Sequence, residues 1–99
     1  MEQIDQYVES LIFTSDVPIT LREMATCLEA IFGTTFQKEY VQTVVNRLQA
    51  KYLRDDYAFE IVGIGKGYQF LTKGTYYDVV GMLLKQKSKK NFLAQHEKH

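Results

Sequence analysis

The chain has 99 residues, of which 45% are apolar and 24% are charged, and its formal net charge at pH 7 is zero. This composition predicts one globular domain with a single modest core. No apolar run approaches the roughly 20 residues that cross a bilayer, and the N-terminal residues lack the basic and apolar regions of a signal peptide. We therefore predict a cytoplasmic protein that does not bind a membrane.

The charged residues are unevenly distributed along the chain. Residues 1–84 carry seven Lys and Arg against eleven Asp and Glu, a net charge of −4. Residues 85–99 carry five Lys against one Glu, a net charge of +4. Proteins that bind duplex DNA concentrate positive charge on the docking surface, because phosphate neutralisation supplies much of the affinity. The acidic body of this chain therefore argues against DNA as its main partner.

Two helices are predicted in the first third of the chain. Apolar residues recur at three- and four-residue spacing in residues 3–14, which indicates the first helix. Thr20 and Glu23 form a capping box that begins the second helix, and Gly33 ends it. Cys27 is the only cysteine, and we expect it to be a small core residue of the second helix.

A third helix is predicted at residues 36–53, opened by Thr34 and Thr35. In a helix-turn-helix protein this helix reads DNA, and Gln, Asn and Arg are side chains that can bind base edges. A solvated helix face explains the same residues more simply, because Glu39 lies among them and the body is acidic. If the protein binds DNA, the candidate contacts are Lys38, Gln42, Asn46, Arg47 and, in the hairpin described next, Lys66.

A β-hairpin is predicted after the third helix. Alternation beginning at Tyr57 indicates one strand, Tyr68–Thr72 indicates the return strand, and the glycines of residues 65–67 suit the turn. Three helices, a hairpin and a final helix describe a mostly helical α+β fold, the winged helix-turn-helix, in which the hairpin is the wing. The wing can contact DNA or protein. Lys66 at its tip is either a phosphate contact or an ordinary solvated turn residue.

The last predicted helix is followed by a basic segment. Thr75 can cap this helix, and we expect its apolar stripe to pack back on the body. The stripe consists of Tyr76, Val79, Val80, Leu83 and Leu84. From Lys85 onward the sequence is basic and lacks a periodic apolar face. We predict a winged-helix domain at residues 1–86 and a disordered basic tail or linker at residues 87–99.

The sequence offers no convergent set of catalytic residues. Its only histidines, His96 and His99, lie in the predicted tail, where no neighbouring group would orient them. We therefore predict a protein that is not an enzyme and that has no catalytic residues, metal site, cofactor or small-molecule substrate.

Aromatic residues are abundant for so small a core. The chain has seven Tyr and six Phe, and tyrosine is favoured at protein interfaces. About half of these rings are explained by the core beneath the wing, and a protein-binding face accounts for the others. The candidates for partner binding or dimerisation are Tyr57, Tyr68, Phe70, Tyr76 and Tyr77.

Two stretches together resemble one protein family. Residues 8–24, VESLIFTSDVPITLREM, resemble the opening of segregation and condensation protein B, in which an apolar helix with Leu-x-Phe leads into Ser-Asp-x-Pro and a leucine-rich helix. Residues 67–73, GYQFLTK, followed by Tyr76 or Tyr77, resemble the wing of the same family. The stretches occur in the family's order and spacing across about residues 4–85.

The resemblance implies a non-enzymatic subunit of the bacterial chromosome segregation and condensation complex. In that family two copies pair and hold a kleisin subunit, which closes the ring of a structural-maintenance-of-chromosomes ATPase. Family members carry two winged helices, and residues 89–99 do not match the start of the second one. A fragment or a shortened relative is therefore expected. The resemblance predicts a nucleoid-associated homodimer whose association with DNA is indirect.

Two hypotheses of function follow. The first is a protein-binding winged helix that dimerises and docks a partner segment on apolar and aromatic surface, which the acidic body favours. The second is a DNA-binding transcriptional regulator, in which the third helix contacts bases while Lys66 and the lysine tail contact phosphates.

Overall fold

Four α-helices and a three-stranded antiparallel sheet make up the part of the chain that the structure describes. The structure is a computed structural model that describes the backbone of residues 2–98 and the side chains of residues 3–88. The elements follow in the order α1 (Glu2–Thr14), β1 (Ile19–Thr20), α2 (Leu21–Phe32), α3 (Lys38–Tyr52), β2 (Phe59–Ile64), β3 (Gly67–Thr72), a one-turn 3₁₀ helix (Gly74–Tyr76) and α4 (Tyr77–Lys98). This arrangement confirms the predicted winged helix.

The core lies between α1, α2 and α3, and the sheet covers one end of it. Each helix contributes residues at three- or four-residue spacing, because that spacing returns to the same helix face. The buried apolar residues are Val8, Ile12, Met24, Ala25, Leu28, Val41, Val44, Val45, Leu48 and Ile61. No buried side chain in the described part of the chain is polar or charged. Hydrophobic burial therefore dominates the interactions that hold the three helices together.

Local capping defines α2 as the sequence predicted. Thr20 Oγ1 accepts a hydrogen bond from the Glu23 backbone N–H at 3.1 Å, and Glu23 Oε1 accepts one from the Thr20 N–H at 2.9 Å. Gly33 follows the helix in the left-handed region, with φ of 69°, and its N–H donates to the Glu29 carbonyl at 2.8 Å. These hydrogen bonds satisfy backbone groups that helix ends otherwise leave unpaired.

Two predictions for α2 and α3 are wrong. Cys27 is exposed, because α2 buries only the narrow stripe of Met24, Ala25 and Leu28. Helix α3 begins at Lys38, with Gln37 as its N-cap, rather than after Thr34 and Thr35. A long-range contact fixes the preceding residues, since the Phe36 N–H donates to the Glu29 carboxylate at 2.9 Å.

The wing contains a third strand that the sequence did not reveal. The sheet order is β1-β3-β2. Ile19 pairs with Tyr68, and Thr20 pairs with Gly67, at the free edge of the hairpin. A two-residue strand is too short to show an alternating pattern, so only the tertiary structure identifies β1.

Two glycines are required where the hairpin turns and where β1 meets β3. The turn consists of Gly65 and Lys66, and Gly65 has φ of 60°, as the first position of a II′-type hairpin turn requires. Gly67 is needed for a different reason. A Cβ atom at residue 67 would lie 2.8 Å from the Pro18 carbonyl carbon and 2.9 Å from Pro18 Cβ. The chain before β1 therefore approaches β3 as closely as only glycine allows.

We expect Gly67→Ala to destabilise the fold, because the added methyl group must displace the backbone at Pro18. The expected loss in the free energy of unfolding is about 1–3 kcal/mol. Gly63→Ala is the matched control in the adjacent strand, since its Cβ would meet only the Tyr68 ring at 3.6 Å. Urea unfolding followed by circular dichroism measures both. Equal unfolding midpoints for the two variants would contradict the prediction, because they would show that the Pro18 backbone can move aside with no loss of stability.

The predicted packing of the last helix on the body is wrong. Thr75 lies inside the 3₁₀ turn, and α4 begins at Tyr77. The apolar side chains of α4 are largely exposed, and Val79, for example, is 66% exposed. The core is already closed by α1, α2, α3 and the sheet without a contribution from this stripe.

Helix α4 also extends beyond the predicted domain end. Its backbone is helical through Lys98, whereas we predicted a disordered tail from residue 87. Lys, Gln, Leu and Ala favour helix, and adding a residue to an existing helix is much easier than starting one. The side chains of residues 89–99, including His96 and His99, lie outside the described residues. The division into a domain at 1–86 and a tail at 87–99 stays a prediction. No helix among the described residues is long and apolar enough to span a membrane.

Candidate functional site

An aromatic groove lies between α1, the end of α3 and the sheet. Its volume is about 490 Å³. The residues that line it, called the aromatic groove from here on, are Gln6, Glu9, Ser10, Phe13, Tyr52, Tyr57, Phe59 and Phe70. Phe13 is 77% exposed, and Phe59 is 52% exposed. Large apolar side chains that remain in solvent at a concave surface are typical of a binding site for protein or ligand.

Ring packing gives the floor of the aromatic groove its shape. The Tyr52 and Phe70 rings meet edge to face, with centroids 5.0 Å apart and an interplanar angle of 85°. Phe13 meets Phe70 in a similar way at 6.2 Å, and Tyr57 packs on Tyr52 at 4.7 Å. Edge-to-face contacts are favoured by the ring quadrupoles. The four rings come from four separate parts of the chain, so the floor exists only in the folded protein.

A polar network centred on Glu9 closes one side of the aromatic groove. The Tyr52 hydroxyl donates a hydrogen bond to Glu9 Oε2, and Lys51 Nζ lies 3.3 Å from the same oxygen. Lys51 Nζ also lies 5.2 Å from the centroid of the Tyr52 ring and 5.8 Å from that of Tyr57, within reach of a cation–π interaction. Burial, and after it the hydrogen bond to Glu9, raises the pKa of Tyr52 to about 12.

This raised pKa predicts that the protein loses stability in strongly alkaline solution. The folded state disfavours the Tyr52 phenolate, whereas the unfolded chain ionises near pH 10. The contribution of Tyr52 is therefore fully present below pH 10 and is lost as the pH rises towards about 12. We expect Tyr52→Phe to reduce the fall in unfolding free energy between these pH values. Tyr57→Phe is the control, because its ring faces the same groove but its hydroxyl does not bind Glu9. Urea titrations at pH 9, 10 and 11 measure the slope, and equal slopes for both variants would contradict the prediction.

The exposed apolar face of α4 and the turn before it form a second surface. The α4 stripe, as it is called from here on, consists of Tyr76, Val79, Val80, Leu83 and Leu84, which recur at helical spacing. Val80 is half-buried, and the other four are exposed. Tyr77 and Met82 flank the stripe and are exposed as well. Several adjacent apolar side chains on one helix face form a patch of the kind that marks an interaction site.

The five aromatic residues that the sequence suggested for partner binding fall into three places. Tyr57 and Phe70 line the aromatic groove. Tyr76 and Tyr77 lie where the 3₁₀ turn passes into α4. Tyr68 lies elsewhere, and its hydroxyl donates a hydrogen bond to Gln42 Oε1 at 3.1 Å.

Sequence reasoning missed Phe13 and Phe59 as members of the aromatic groove. Phe13 follows the buried Ile12 at the end of α1 and so lies off the helix face that enters the core. An aromatic residue outside the core face is the signal that could have identified it. Its ring partners, however, are distant in the sequence. The sequence therefore identified Tyr57 and Phe70 of the groove but not Phe13 and Phe59.

A basic cavity of about 640 Å³ lies between the starts of α2 and α3 and the turn of the wing. Of the five residues suggested for nucleic-acid contact, Lys38, Gln42 and Lys66 line it. Sequence reasoning missed Arg22, which also lines it and comes from the first turn of α2. The remaining lining residues are Thr20, Leu21, Gly63, Gly65, Gly67 and Tyr68.

The other two nucleic-acid candidates have protein partners. Asn46 Oδ1 accepts a hydrogen bond from Gln42 Nε2 at 2.9 Å. Arg47 binds Asp5 on α1 through two hydrogen bonds, of 2.7 and 2.9 Å. This bidentate contact lowers the pKa of Asp5 below its ordinary value. Arg47 thus joins α3 to α1 and does not line the basic cavity.

Comparison with known proteins decides the family. The sequence profile described as "Segregation and condensation complex subunit ScpB" matches residues 6–97. The chain belongs to the ScpB family. The resemblance stated from the two sequence stretches is confirmed.

One curated relative supports the ScpB assignment. It is Segregation and condensation protein B of Clostridium acetobutylicum, which is 32% identical over 81 residues. The match covers 82% of this chain and 37% of the relative. The chain therefore spans little more than a third of that ScpB protein.

Three solved structures share the ScpB-type fold of this chain. A conserved hypothetical protein from Chlorobium tepidum has a TM-score of 0.68 at 27% identity, and the match covers 93% of this chain and 57% of that protein's chain. A dimer of the ScpB N-terminal domain complexed with a ScpA peptide has a TM-score of 0.72 at 22% identity, and the match covers 83% of this chain and 95% of that domain's chain. ScpB from Mycobacterium tuberculosis has a TM-score of 0.75 at 16% identity, and the match covers 88% of this chain and 51% of that protein's chain. The last two likenesses show the fold alone.

Proposed function

We propose that this chain is a non-enzymatic subunit of the bacterial chromosome segregation and condensation complex. In this proposal it pairs with a second copy, contributes to binding a kleisin subunit and works in the cytoplasm at the nucleoid. Membership of the ScpB family supports the complex. The observation that carries the mechanism is the presence of two exposed apolar surfaces, the α4 stripe and the aromatic groove.

The α4 stripe is the surface that we assign to pairing. Two copies of one helix face bury each other in a symmetric contact, in which every residue serves both chains. Branched side chains at three- and four-residue spacing, such as the Val and Leu of this stripe, pack as ridges into grooves. Tyr76 and Tyr77 at the start of α4 would add aromatic area at the rim. The related structure is a dimer of the ScpB N-terminal domain, and its match covers 83% of this chain and 95% of that domain. This likeness supports pairing by the same domain here.

The aromatic groove is the surface that we assign to the kleisin subunit. Phe13, Phe59 and Tyr57 offer rings that an apolar side chain can contact, and such aromatic positions dominate the energy of many interfaces. Gln6 and Ser10 on the α1 side supply polar groups at the rim. This chemistry suits an amphipathic helix whose apolar face enters the groove. The ScpA peptide bound to the related N-terminal domain supports a peptide as the ligand.

Sedimentation and co-purification test the proposal on the 99-residue chain. We expect a dimer at micromolar concentrations in sedimentation velocity, and retention of the host's kleisin subunit when it is co-expressed with the tagged chain. A monomer at several hundred micromolar together with no retained kleisin would overturn the proposal. The experiment uses the 99-residue chain by itself, because the proposal places both binding surfaces on its winged-helix domain.

A further inference from the structure

Three cations with no acidic partner meet in the basic cavity. Arg22 lies in the first turn of α2, Lys38 begins α3, and Lys66 occupies the turn of the wing. All three side chains are exposed. None of them forms an ion pair with the residues that the structure describes, and no Asp or Glu lines the cavity.

The other cations of the body are engaged within the protein. Arg47 binds Asp5, Lys51 binds Glu9 and Arg54 binds Asp56. Lys73 Nζ donates to the Arg54 carbonyl oxygen at 2.7 Å. Within residues 3–76, the cations that lack such a partner are therefore confined to the basic cavity. A group of like charges without counter-charges attracts anions and is stabilised when one binds.

The size of the basic cavity and the origin of its cations favour an extended anion. A volume of about 640 Å³ exceeds what one phosphate group fills. The three cations come from separate elements, and duplex DNA presents a charge about every 1.7 Å along its axis. Gln42 on α3 also lines the cavity, and its amide nitrogen has a second hydrogen beyond the one that it donates to Asn46.

We infer that the basic cavity binds the phosphate backbone of duplex DNA through Arg22, Lys38 and Lys66. This contact is direct, and it adds to the indirect association with DNA in the proposed function. Its residues lie outside both the aromatic groove and the α4 stripe. Loss of DNA binding can therefore be told apart from loss of pairing or of kleisin binding.

The number of cations sets the strength and salt dependence of this contact. Neutralising three phosphates gives a slope of about −2.7 for the logarithm of affinity against the logarithm of salt. Affinity then falls about 40-fold between 50 and 200 mM salt. The acidic body weakens long-range attraction, so we expect non-specific binding that is detectable at low salt and lost at high salt.

Fluorescence anisotropy with a labelled 20-base-pair duplex tests the inference, using the 99-residue chain at 25–200 mM salt. We expect Lys38→Gln combined with Lys66→Gln to lower affinity about tenfold or more at 50 mM salt and to reduce the salt slope by about 1.8. The matched control is Lys85→Gln combined with Lys87→Gln on α4. It removes the same charge from side chains that are also exposed.

Three results would overturn the inference. One is the absence of binding by the unaltered chain at 25 mM salt. Another is an equal or greater loss in the Lys85 and Lys87 variant, which would place the DNA contact on α4. The third is tighter binding to tripolyphosphate than to the duplex at equal ionic strength. Dimerisation and kleisin retention are measured on the Lys38 and Lys66 variant as well, and both should match the unaltered chain.

Discussion

Leu83→Glu should convert the paired chain into a monomer at concentrations where the unaltered chain is a dimer. Leu83 lies within the α4 stripe and is 51% exposed in the single chain. In a symmetric pair the substitution brings two carboxylates into one apolar contact, where they lack partners. We expect the dissociation constant to rise about 100-fold or more, which corresponds to ~3 kcal/mol. Sedimentation velocity over a concentration series measures the change.

Gly81→Glu is the matched control for this prediction. It adds the same charge two residues away, on a helix face about 160° from Leu83. A Cβ atom at residue 81 would meet no other atom within 4 Å, so the control should pair like the unaltered chain. Neither substitution touches the core, so circular dichroism should show that both variants remain folded. If Leu83→Glu remains a dimer, or if Gly81→Glu dissociates equally, the α4 stripe is not the pairing surface.

Phe13→Ala should weaken kleisin binding about 30-fold without affecting pairing. Phe13 projects into the aromatic groove and is 77% exposed. A hot-spot aromatic residue contributes about 2 kcal/mol or more to an interface, which is about 30-fold in affinity. Its contact with Phe70 is a single edge-to-face pair with centroids 6.2 Å apart, so we expect a loss of fold stability below about 1 kcal/mol. Calorimetric titration with the host's kleisin subunit measures the affinity.

Leu53→Ala is the control for the aromatic groove. Leu53 is 72% exposed, and it is not among the residues that line the groove. Truncating this side chain removes exposed apolar surface at the end of α3, next to Tyr52 of the groove. Kleisin binding should stay within about twofold. An equal loss of affinity in both variants would mean that the kleisin subunit contacts a broader surface, and unchanged binding by Phe13→Ala would exclude the groove.

The two variants also separate pairing from kleisin binding. Phe13 lines the aromatic groove, and Leu83 belongs to the α4 stripe. If Phe13→Ala leaves the dimer intact while kleisin is lost, the surfaces act independently. If Leu83→Glu removes kleisin as well, the kleisin subunit needs both copies.

The sequence by itself determined the features of this protein that depend on near neighbours in the chain. The capping box of Thr20 and Glu23 spans three residues, and Gly33 ends the same helix through a bond to Glu29. The turn at Gly65 and Lys66 needs one positive φ angle. Helical spacing identified the core faces of α1, α2 and α3 because a helix repeats its face within four residues. These local rules sufficed for the winged helix and, with two motifs, for the family.

The tertiary structure alone decided the features that depend on residues distant in the chain. Strand β1 exists only because Gly67 lets Pro18 approach, and the aromatic groove forms only where Phe13 meets Phe70. Arg22 joins the basic cavity from another helix than Lys38. An apolar stripe shows that a helix has a face to bury, but not whether that face meets its own body. In α4 it does not, because the core is already closed without it.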